Sequence, residues 1–357
     1  MSYDFLAFIG RFQPFHLGHQ HVVASALARA RHVVVLIGSP NLARSIRNPF
    51  SYEERAEMVR AVFPDEVAAR RLIIRPIDDY AYNDTAWVTA VQREIGRVVL
   101  EVGNGGGTVL HGLRDFKTGI VGYAKDASSY YLRAFPEWDF VPIEQVYGTF
   151  NATDIRADYL RRAPRLPRDL VPEPVVEQLD RFRLTPEFAR LVGEADWLAE
   201  YKQSWAGAPY PPVFVTVDCV VQQAGFVLLV ERGQQPGKGL LALPGGFIAQ
   251  DEYLRDSAIR ELREETAIAD AKGPIPPAML ASFIEDKATR VFDAPDRSVR
   301  GRTITHAFLF RCPDRPQLFK VKGGDDAVHA SWHRLADLQP RRFLEDHWFI
   351  LQAMIGI

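Results

Sequence analysis

The stretch that decides the fold of the C-terminal half is Pro244-Gly-Gly-Phe-Ile-Ala-Gln-Asp-Glu-Tyr-Leu-Arg-Asp-Ser-Ala-Ile-Arg-Glu-Leu-Arg-Glu-Glu-Thr-Ala-Ile268. Its second half has helical spacing, and Glu261, Glu264 and Glu265 follow one another at i, i+3 and i+4, on one side of the helix. Like charges at these spacings repel by roughly 0.2–0.5 kcal/mol per pair on an isolated helix, so a compensating group is expected. A solvated acidic face balanced by arginines is the alternative interpretation.

The residues around this helix favour a metal site over a solvated acidic face. Gly245-Gly246 can bring the backbone close to a ligand. Glu252 adds an outlying carboxylate about two helical turns before Arg260. A glycine turn and a fan of carboxylates together predict an oxygen-ligand site for Mg²⁺ on a diphosphate.

The spacing of these residues resembles the Nudix box, the signature of hydrolases that cut a nucleoside diphosphate linked to another group. The matching pattern is Gly246-x5-Glu252-x7-Arg260-Glu261-Leu262-x-Glu264-Glu265-x-Ala267-Ile268. One position departs, because Ala267 stands where the family usually has glycine. We expect that alanine is tolerated there, since it keeps the site small.

The resemblance implies roles for five residues of the box. Glu261, Glu264 and Glu265 are expected to bind the metal, with Mg²⁺ as the expected ion and Mn²⁺ as the alternative. Arg260 and Glu252 are expected to orient the carboxylates. For the general base the sequence leaves Glu264 and a loop acid such as Glu285 as alternatives.

Length and composition indicate the number of domains and the class of protein. The chain has 357 residues, which is long for one core and suits two domains. With 47% apolar and 25% charged residues, no run of 18 apolar residues and no signal peptide, we expect a soluble cytoplasmic protein that does not bind membranes. Cys219 and Cys312 form no disulfide framework or zinc spacing. The net charge of −2 indicates no nucleic-acid partner and leaves a homo-oligomer open.

The N-terminal half alternates predicted strands and helices, as in an α/β domain with a doubly wound parallel sheet. The predicted strands cover residues 5–9, 32–37, 71–75, 108–111 and 138–143. The predicted helices cover residues 51–63, 85–100 and 128–135, and one more ends near residue 30. Ligands bind beyond the carboxyl ends of strands in such sheets, so the loop after the first strand is a prime location.

That loop carries His16 and His19, which have i, i+3 spacing at the start of a helix. Backbone N–H groups at a helix start favour phosphate. A metal pair, or polar residues that only begin the helix, are the alternatives. Pro14 and Gly18 indicate a shaped loop, which favours a ligand site.

The loop resembles the HxGH motif of nucleotidyltransferases, whose histidines contact the ATP phosphates around the scissile bond. The matching residues are Gly10-x-Phe12-x-Pro14-x-His16-x-Gly18-His19. The resemblance implies that His16 and His19 are catalytic and that Gly10, Arg11 and Phe12 help to bind the nucleotide. The motif alone leaves nicotinamide, pantetheine and cytidylyl branches open.

Three further motifs resemble the nicotinamide mononucleotide (NMN) adenylyltransferases of archaeal type. They are Arg47-Asn-Pro-Phe50, Asn83-Asp-Thr-Ala-Trp87 and Asn151-Ala-Thr-Asp-Ile-Arg156. The resemblance implies that Trp87 stacks on the pyridinium ring, a cation–π contact worth on the order of 1 kcal/mol, while Asn83 or Asp84 holds the amide. An ordinary core aromatic is the alternative for Trp87.

The same resemblance implies a cationic site for the triphosphate. Thr153 and Arg156 are expected to bind the phosphates. Arg47 is expected to bind the nucleotide, with an ordinary surface arginine as its alternative. Lys125, in the segment 123–129, is a further candidate cation.

The second half begins after a proline-rich joint. The prolines near residues 164–174 interrupt any long helix. We therefore predict a nucleotidyltransferase domain over residues 1–174, a helical linker over 175–207 and a Nudix domain over 208–357. Predicted strands at 213–221, 226–230, 303–310 and 328–334, with a hairpin at 222–225, suit the α/β/α sandwich of Nudix proteins.

An arginine-rich loop precedes one of these strands. It spans residues 291–306, and its candidate substrate-binding side chains are Arg297, Arg300 and Arg302. We expect them to form a clamp that reaches phosphate or ribose. An exposed loop without a ligand is the alternative.

The order of the two halves resembles the bacterial bifunctional NMN adenylyltransferase/Nudix hydrolases. The resemblance implies that the chain converts ATP and NMN to NAD and pyrophosphate, and that it hydrolyses ADP-ribose to AMP and ribose 5-phosphate with Mg²⁺. Two alternatives stay open. The first domain could use a pantetheine-phosphate or cytidylyl acceptor, and the second could be a ligand-sensing regulatory module.

Overall fold

The computed structural model describes residues 2–103, 115–123, 132–146, 151–324 and 327–357. The chain divides into two compact units, Met1–Val192 and Gly193–Ile357. The division falls inside the segment 175–207 that the sequence predicts as a linker. No helix among the described residues is long and apolar enough to cross a membrane.

The N-terminal unit is built on a parallel sheet with the strand order β3-β2-β1-β4-β5. The strands are β1 (Tyr3–Gly10), β2 (Ala30–Gly38), β3 (Leu72–Ile77), β4 (Thr118–Gly122) and β5 (Asp139–Pro142). Every pairing is parallel, which confirms the predicted doubly wound sheet. The strand order reverses between β1 and β4, and a ligand crevice is expected at such a switch point.

Seven helices accompany this part of the chain as the structure describes it. They are α1 (Leu17–Leu27), α2 (Tyr52–Val62), α3 (Pro64–Ala68), α4 (Asp84–Val98), α5 (Ala152–Tyr159), α6 (Glu173–Phe182) and α7 (Pro186–Gln203). The predicted capping box opens α2, because the Glu54 N–H donates to Ser51 Oγ at 3.3 Å and the Ser51 N–H donates to Glu54 Oε2 at 2.7 Å. Strand β4 has no counterpart in the sequence-based prediction.

Two of the predicted elements lie wholly or largely outside the described residues. These are the strand at 108–111 and most of the helix at 128–135. The apolar core on one face of the sheet combines alternate residues of β1, such as Phe5, Ala7 and Ile9, with Val91 and Ile95 of α4.

The C-terminal unit is built on a mixed sheet with the order β12-β13-β6-β7-β14, while β8 pairs with β7 and β9 pairs with β6. The strands are β6 (Val213–Gln223), β7 (Phe226–Arg232), β8 (Leu241–Ala242), β9 (Gly245–Phe247), β10 (Ala269–Asp270), β11 (Gly273–Pro274), β12 (Arg290–Phe292), β13 (Arg302–Arg311) and β14 (Ala327–Arg334). The helices are α8 (Leu254–Thr266), α9 (Pro277–Ser282) and α10 (His347–Ile355). Within the order β12-β13-β6-β7-β14, β13 and β6 pair in parallel and the other neighbouring strands pair antiparallel. The predicted hairpin joins β6 to β7.

Helix α8 packs one face into the core of this unit. Ile259 and Leu262 are buried there with Val217 and Cys219 of β6. Burying a side chain of this size contributes roughly 1.5–3 kcal/mol. This packing fixes the rotation of α8, so that Glu261 and Glu265 face strand β9, with Glu265 buried, while Glu264 is exposed.

Two candidate nucleotide sites

Aromatic packing shapes the loop that follows β1. Phe12 has a positive φ of 52°, and its ring lies 5.2 Å from that of Phe8 and 4.8 Å from that of His19. A Cβ at Gly10 would lie only 2.9 Å from the Phe12 ring. Glycine at this position therefore lets the ring fold back over the end of β1.

His16 and His19 lie together at the start of α1, as their spacing predicts. Their rings stack with centroids 3.6 Å apart, and the His16 backbone N–H donates to His19 Nδ1 at 3.3 Å. A Cβ at Gly18 would approach the His16 ring to 3.1 Å, so glycine makes room for the stacked pair. The Tyr123 hydroxyl donates to the Gly18 carbonyl at 3.1 Å. The arrangement presents two imidazoles at a helix N-terminus, which favours anions.

A group of arginines adds positive charge to this site. The Nη1 of Arg156 donates to the Gln13 carbonyl at 2.8 Å and its Nη2 donates to Thr153 Oγ1 at 3.2 Å. Burial, reinforced by the charges of Arg11 and Arg47, lowers the pKa of Arg156 to about 10. Mutually repelling guanidinium groups indicate a site for a polyanion.

Arg55 is a buried residue that the sequence-based prediction does not include. Its guanidinium donates to four carbonyls, those of Ser51 (3.0 Å), Arg11 (2.8 Å), Gly38 (2.6 Å) and Ser39 (2.9 Å). These bonds tie α2 to the ends of β1 and β2. Burial lowers the pKa of Arg55 to about 10.

A signal for Arg55 is present in the sequence. Arg55 stands one turn before Met58 and Val59 on the buried face of α2, where an arginine is unusual. Asp79 was also not predicted. Burial raises the pKa of Asp79, and the charges of Arg11 and Arg55 act in the opposite direction.

The candidate nicotinamide residues lie at the start of α4. Asn83 caps the helix, with its Oδ1 accepting from the Ala86 N–H at 3.1 Å, and Asp84 is exposed in the first turn. Trp87 is half-buried, with its ring 6.1 Å from Phe135. The third sequence-predicted cation, Lys125, lies outside the described residues.

In the C-terminal unit, two glycines allow strand β9 to approach the glutamates of α8. The Gly245 N–H donates to Glu265 Oε2 at 2.9 Å. A Cβ at Gly246 would lie 2.7 Å from the Glu261 carboxylate, and one at Gly245 would lie 2.1 Å from the Val217 carbonyl oxygen. Neither position has room for a side chain.

Arg260 connects the carboxylates of this region. Its Nε donates to both oxygens of Glu252, at 2.9 and 3.0 Å, and its Nη1 donates to Glu261 and Glu264 at 2.9 Å each. Hydrogen bonds from Arg260 and Ser257 lower the pKa of Glu252. The structure thus brings together the five residues that the sequence groups in one box.

The donor set suits a hard divalent cation. Burial, the charge of Glu261 and the charge of Asp218 raise the pKa of Glu265 to about 8, while the Gly245 hydrogen bond opposes the shift. A cation beside this buried carboxylate would favour its ionised form. Among the described residues no group of three acidic, histidine or cysteine side chains is already arranged as metal ligands. Arg260 binds Glu261 and Glu264.

A cavity with about 590 Å³ of empty space, including its open mouth, lies beside Glu265. Its ionisable lining residues are Asp218, Arg232, Glu265, Arg297, Arg300, Glu345 and His347. The position next to Glu265 makes it the candidate substrate site of the C-terminal unit.

The three arginines of the predicted clamp have separate surroundings. Arg297 is buried and forms a two-bonded ion pair with Asp346, at 2.9 Å for each bond. Arg300 lies over the Phe247 ring with 5.1 Å between its guanidinium carbon and the ring centroid. Arg302 binds the carbonyl of Asp293. Arg297 and Arg300 line the cavity and Arg302 is not among its lining residues.

A buried polar network under the cavity was not predicted from the sequence. His347 Nδ1 accepts from the Leu243 N–H at 3.0 Å, and burial lowers the pKa of His347 to about 3, so the ring is neutral. Asp218 Oδ2 accepts from the Thr305 hydroxyl at 2.7 Å. The run 345–347, three polar residues directly before an apolar helix, was the available signal. Of the two alternative bases, Glu285 pairs with Arg311 and Glu264 with Arg260, and neither lines the cavity.

Both units resemble known proteins. The NUDIX domain family model matches residues 212–354, and the cytidylyltransferase-like model matches residues 7–89. The nicotinamide/nicotinic acid mononucleotide adenylyltransferase of Acinetobacter baylyi is 35% identical over 51% of this chain and 88% of its own length. The ADP-ribose pyrophosphatase of Methanocaldococcus jannaschii is 31% identical over 39% of this chain and 70% of its own length.

A solved structure resembles the whole chain. It is that of a bifunctional NMN adenylyltransferase/ADP-ribose pyrophosphatase from Francisella tularensis, complexed with AMP and a manganese ion. The sequence identity is 36%, the comparison covers 98% of both chains, and the TM-score is 0.83.

Proposed function

Because this chain belongs to the family of bifunctional NMN adenylyltransferase/Nudix hydrolases, we propose that it forms NAD in one unit and hydrolyses ADP-ribose in the other. The first reaction joins ATP and NMN and releases pyrophosphate. The second adds water to ADP-ribose and gives AMP and ribose 5-phosphate. Another acceptor for the first unit and a purely sensory role for the second are disfavoured by the names of these relatives and by the retained carboxylates of α8.

The convergence of Arg11, Arg47 and Arg156 on the loop of His16 and His19 carries the first half of the proposal. The NMN phosphate attacks the α-phosphorus of ATP, and the bond to the bridging oxygen of pyrophosphate breaks. Positioning and positive charge suffice for such a transfer. The imidazoles and guanidinium groups neutralise charge that develops on the phosphates. Thr153, Gly10 and Phe12 shape the pocket, and we retain Lys125 as a further phosphate ligand.

Trp87 is the residue that we assign to acceptor choice. It is half-buried beside Phe135 at the start of α4, which leaves part of its ring for a pyridinium. We assign the amide of NMN to Asn83 or Asp84. Trp87→Ala should raise the KM for NMN about fivefold or more and change the KM for ATP little, because only NMN carries the cationic ring. An unchanged KM for NMN would contradict this assignment and favour the alternative that Trp87 is an ordinary core aromatic.

The Gly245–Glu265 contact beside the cavity carries the second half of the proposal. A divalent ion, Mg²⁺ or Mn²⁺, would supply positive charge to the diphosphate and activate water. Glu261, Glu264 and Glu265 would hold that ion, while Arg260 and Glu252 orient the glutamates. Arg297 and Arg300 line the substrate cavity, and Arg302 supports the loop through Asp293. We assign the general base to Glu264, whose side chain is the most exposed of the three.

We also propose how these activities are distributed and where the protein acts. Residues 1–174 carry adenylyl transfer, residues 208–357 carry hydrolysis, and 175–207 link them. The protein acts in the cytoplasm on ATP, NMN and ADP-ribose, without a nucleic-acid or membrane partner, and a homo-oligomer is compatible with this role. Size-exclusion chromatography with light scattering measures the oligomeric state.

One set of incubations tests both reactions. The full chain is mixed with ATP and NMN, or with ADP-ribose, with Mg²⁺ or with a chelator, and the products are separated by chromatography. NAD and pyrophosphate should appear from the first mixture, and AMP and ribose 5-phosphate from the second. Phosphopantetheine and CTP serve as control substrates. Product from these controls and none from NMN would contradict the assignment of the acceptor.

A further inference from the structure

A row of aromatic side chains leads to the cavity of the C-terminal unit from outside the matched NUDIX region. Tyr201 of α7 and Trp205, which follows it, have ring centroids 4.3 Å apart. The Trp205 ring lies 5.2 Å from Phe214, and Phe214 lies 5.6 Å from Phe247. All of these residues belong to the unit Gly193–Ile357. Phe247, the last member of the row, lines the cavity.

Phe247 exposes part of its ring to the cavity, where a ligand could contact it. Its side chain is 40% exposed, although Phe214 packs against it. Arg300, another lining residue, lies over the same ring at 5.1 Å. An aromatic ring and a planar guanidinium are the two groups on which nucleobases stack in proteins.

The position of Phe247 relative to the glutamates suits one particular part of the substrate. Gly245 binds Glu265 through its backbone N–H, and Phe247 follows two residues later in β9. Two residues of extended strand span about 7 Å. A nucleoside attached to a diphosphate beside the α8 glutamates would therefore be within reach of Phe247, which also lines the cavity.

We propose that Phe247 and Arg300 form the nucleobase subsite of the hydrolase and hold the base of a nucleoside diphosphate by stacking. The base stacks on Phe247, and Arg300 withdraws by about one contact distance, ~3.5 Å, to cover its outer face. Phe214 packs against the Phe247 ring, and Trp205 packs against Phe214 in turn. This subsite rests on the proposed ADP-ribose hydrolysis, since it places the adenine of that substrate.

The subsite is tested with Phe247→Ala, Phe247→Leu and Phe247→Tyr in the full chain. Leucine keeps apolar volume without a ring, and tyrosine keeps the ring. Tyr210→Ala, which removes an aromatic ring that is 81% exposed and does not line the cavity, is the matched control. Two quantities are measured: KM and kcat for ADP-ribose, and calorimetric affinities for AMP, CMP and ribose 5-phosphate with Mg²⁺.

Loss of the ring should weaken AMP binding and raise the KM for ADP-ribose about tenfold in the alanine and leucine variants, with little change in kcat. Ribose 5-phosphate affinity should stay unchanged, and CMP binding should weaken together with AMP binding, because every base can stack on the ring. The tyrosine and Tyr210→Ala variants should resemble the wild type. Arg300→Lys, which keeps the charge and loses the planar group, should give a smaller loss of AMP affinity.

Two outcomes would overturn the subsite: unchanged AMP affinity in Phe247→Ala, or equal losses for AMP and ribose 5-phosphate. A wild-type chain that binds AMP through Phe247 but does not hydrolyse ADP-ribose would contradict the proposed function and support the subsite. Failure of the subsite and failure of the proposed function are therefore distinguishable.

Discussion

At the scale of single residues, Ala267 and Arg55 occupy unfavourable environments close to the two candidate sites. Ala267 has a left-handed backbone conformation, and Arg55 is a buried arginine. Ala267 ends α8 in the left-handed region, with φ 42° and ψ 37°, at the box position where the family usually has glycine. The left-handed conformation costs an L-residue with a side chain roughly 1–2 kcal/mol. The alanine predicted to be tolerated is therefore tolerated with backbone strain.

Replacing Ala267 with glycine should stabilise the C-terminal unit. Relief of the strain is partly offset by the larger chain entropy of glycine when unfolded, so we expect a gain of about 0.5–1 kcal/mol in the free energy of unfolding. Urea unfolding measures this quantity. Ala258→Gly, in the buried interior of the same helix, is the matched control and should destabilise. A loss of stability in both variants would contradict the strain at residue 267.

Arg55 contributes to the stability of the N-terminal unit through the geometry of its guanidinium group. Its several N–H donors reach four carbonyl groups at once. Arg55→Lys should destabilise the N-terminal unit by about 1–3 kcal/mol, since lysine leaves buried carbonyls without donors. NAD formation should fall as well, because Arg11 and Ser51 lose their common anchor. Melting temperature and turnover are measured together, with Arg60→Lys, an exposed arginine of the same helix, as control. Equal changes in melting temperature and turnover in the two variants would contradict the proposal that the four hydrogen bonds of Arg55 stabilise the unit.

At the scale of elements, sequence patterns predicted those whose signal is local. The i, i+3, i+4 glutamates predicted α8, and Ser51 with Glu54 predicted the start of α2. Strand β4 was missed because two of its five residues are glycines, which are poor strand formers. The structure gives the reason for one of them: a Cβ at Gly119 would lie 2.8 Å from the Asp139 carbonyl oxygen.

The network under the hydrolase cavity could not be predicted by the same reasoning. Asp218 comes from β6, Arg297 from a loop, and His347 from the first turn of α10. These residues are far apart in the sequence and meet only through the packing of the sheet. The glutamates of the box were predictable because one helix carries them all.

The start of α10 gives a pH-dependent prediction. The folded-state pKa of His347 lies at about 3, below its ordinary value of 6.5, because of burial. Between these values the unfolded chain binds a proton that the folded chain excludes, so stability falls as pH decreases. From pH 6.5 to 5 we expect a loss of up to roughly 2 kcal/mol from this residue.

His347→Gln should reduce this pH dependence, while His329→Gln, at an exposed position of β14, should keep it. Urea unfolding at pH 5 and 6.5 gives the two free energies for each variant. The same pH dependence in His347→Gln as in the wild type would show that the buried ring is not responsible.

At the scale of the whole molecule, the chain combines two units that act on related substrates with different chemistry. The N-terminal unit places histidine and arginine side chains at the switch point of a parallel sheet, which suits adenylyl transfer between the highly charged phosphates of ATP and NMN. The C-terminal unit collects carboxylates beside a glycine-rich strand, which suits hydrolysis assisted by a divalent ion. The first site contains imidazoles and guanidinium groups, whereas the second combines carboxylates with arginines. This difference in side chains is the physical basis for assigning two separate reactions to them.

The most direct test of two separate sites measures both turnovers in His19→Ala and Glu265→Gln of the full chain. His19→Ala should lower NAD formation by about 10²-fold or more and leave ADP-ribose hydrolysis near the wild-type rate. Glu265→Gln should abolish most hydrolysis and preserve NAD formation. Thermal stability should be equal or slightly higher, because burial and Glu261 already disfavour the ionised carboxylate and glutamine keeps an oxygen that can accept from the Gly245 N–H. Parallel loss of both activities in either variant, or retained hydrolysis in Glu265→Gln, would contradict the account.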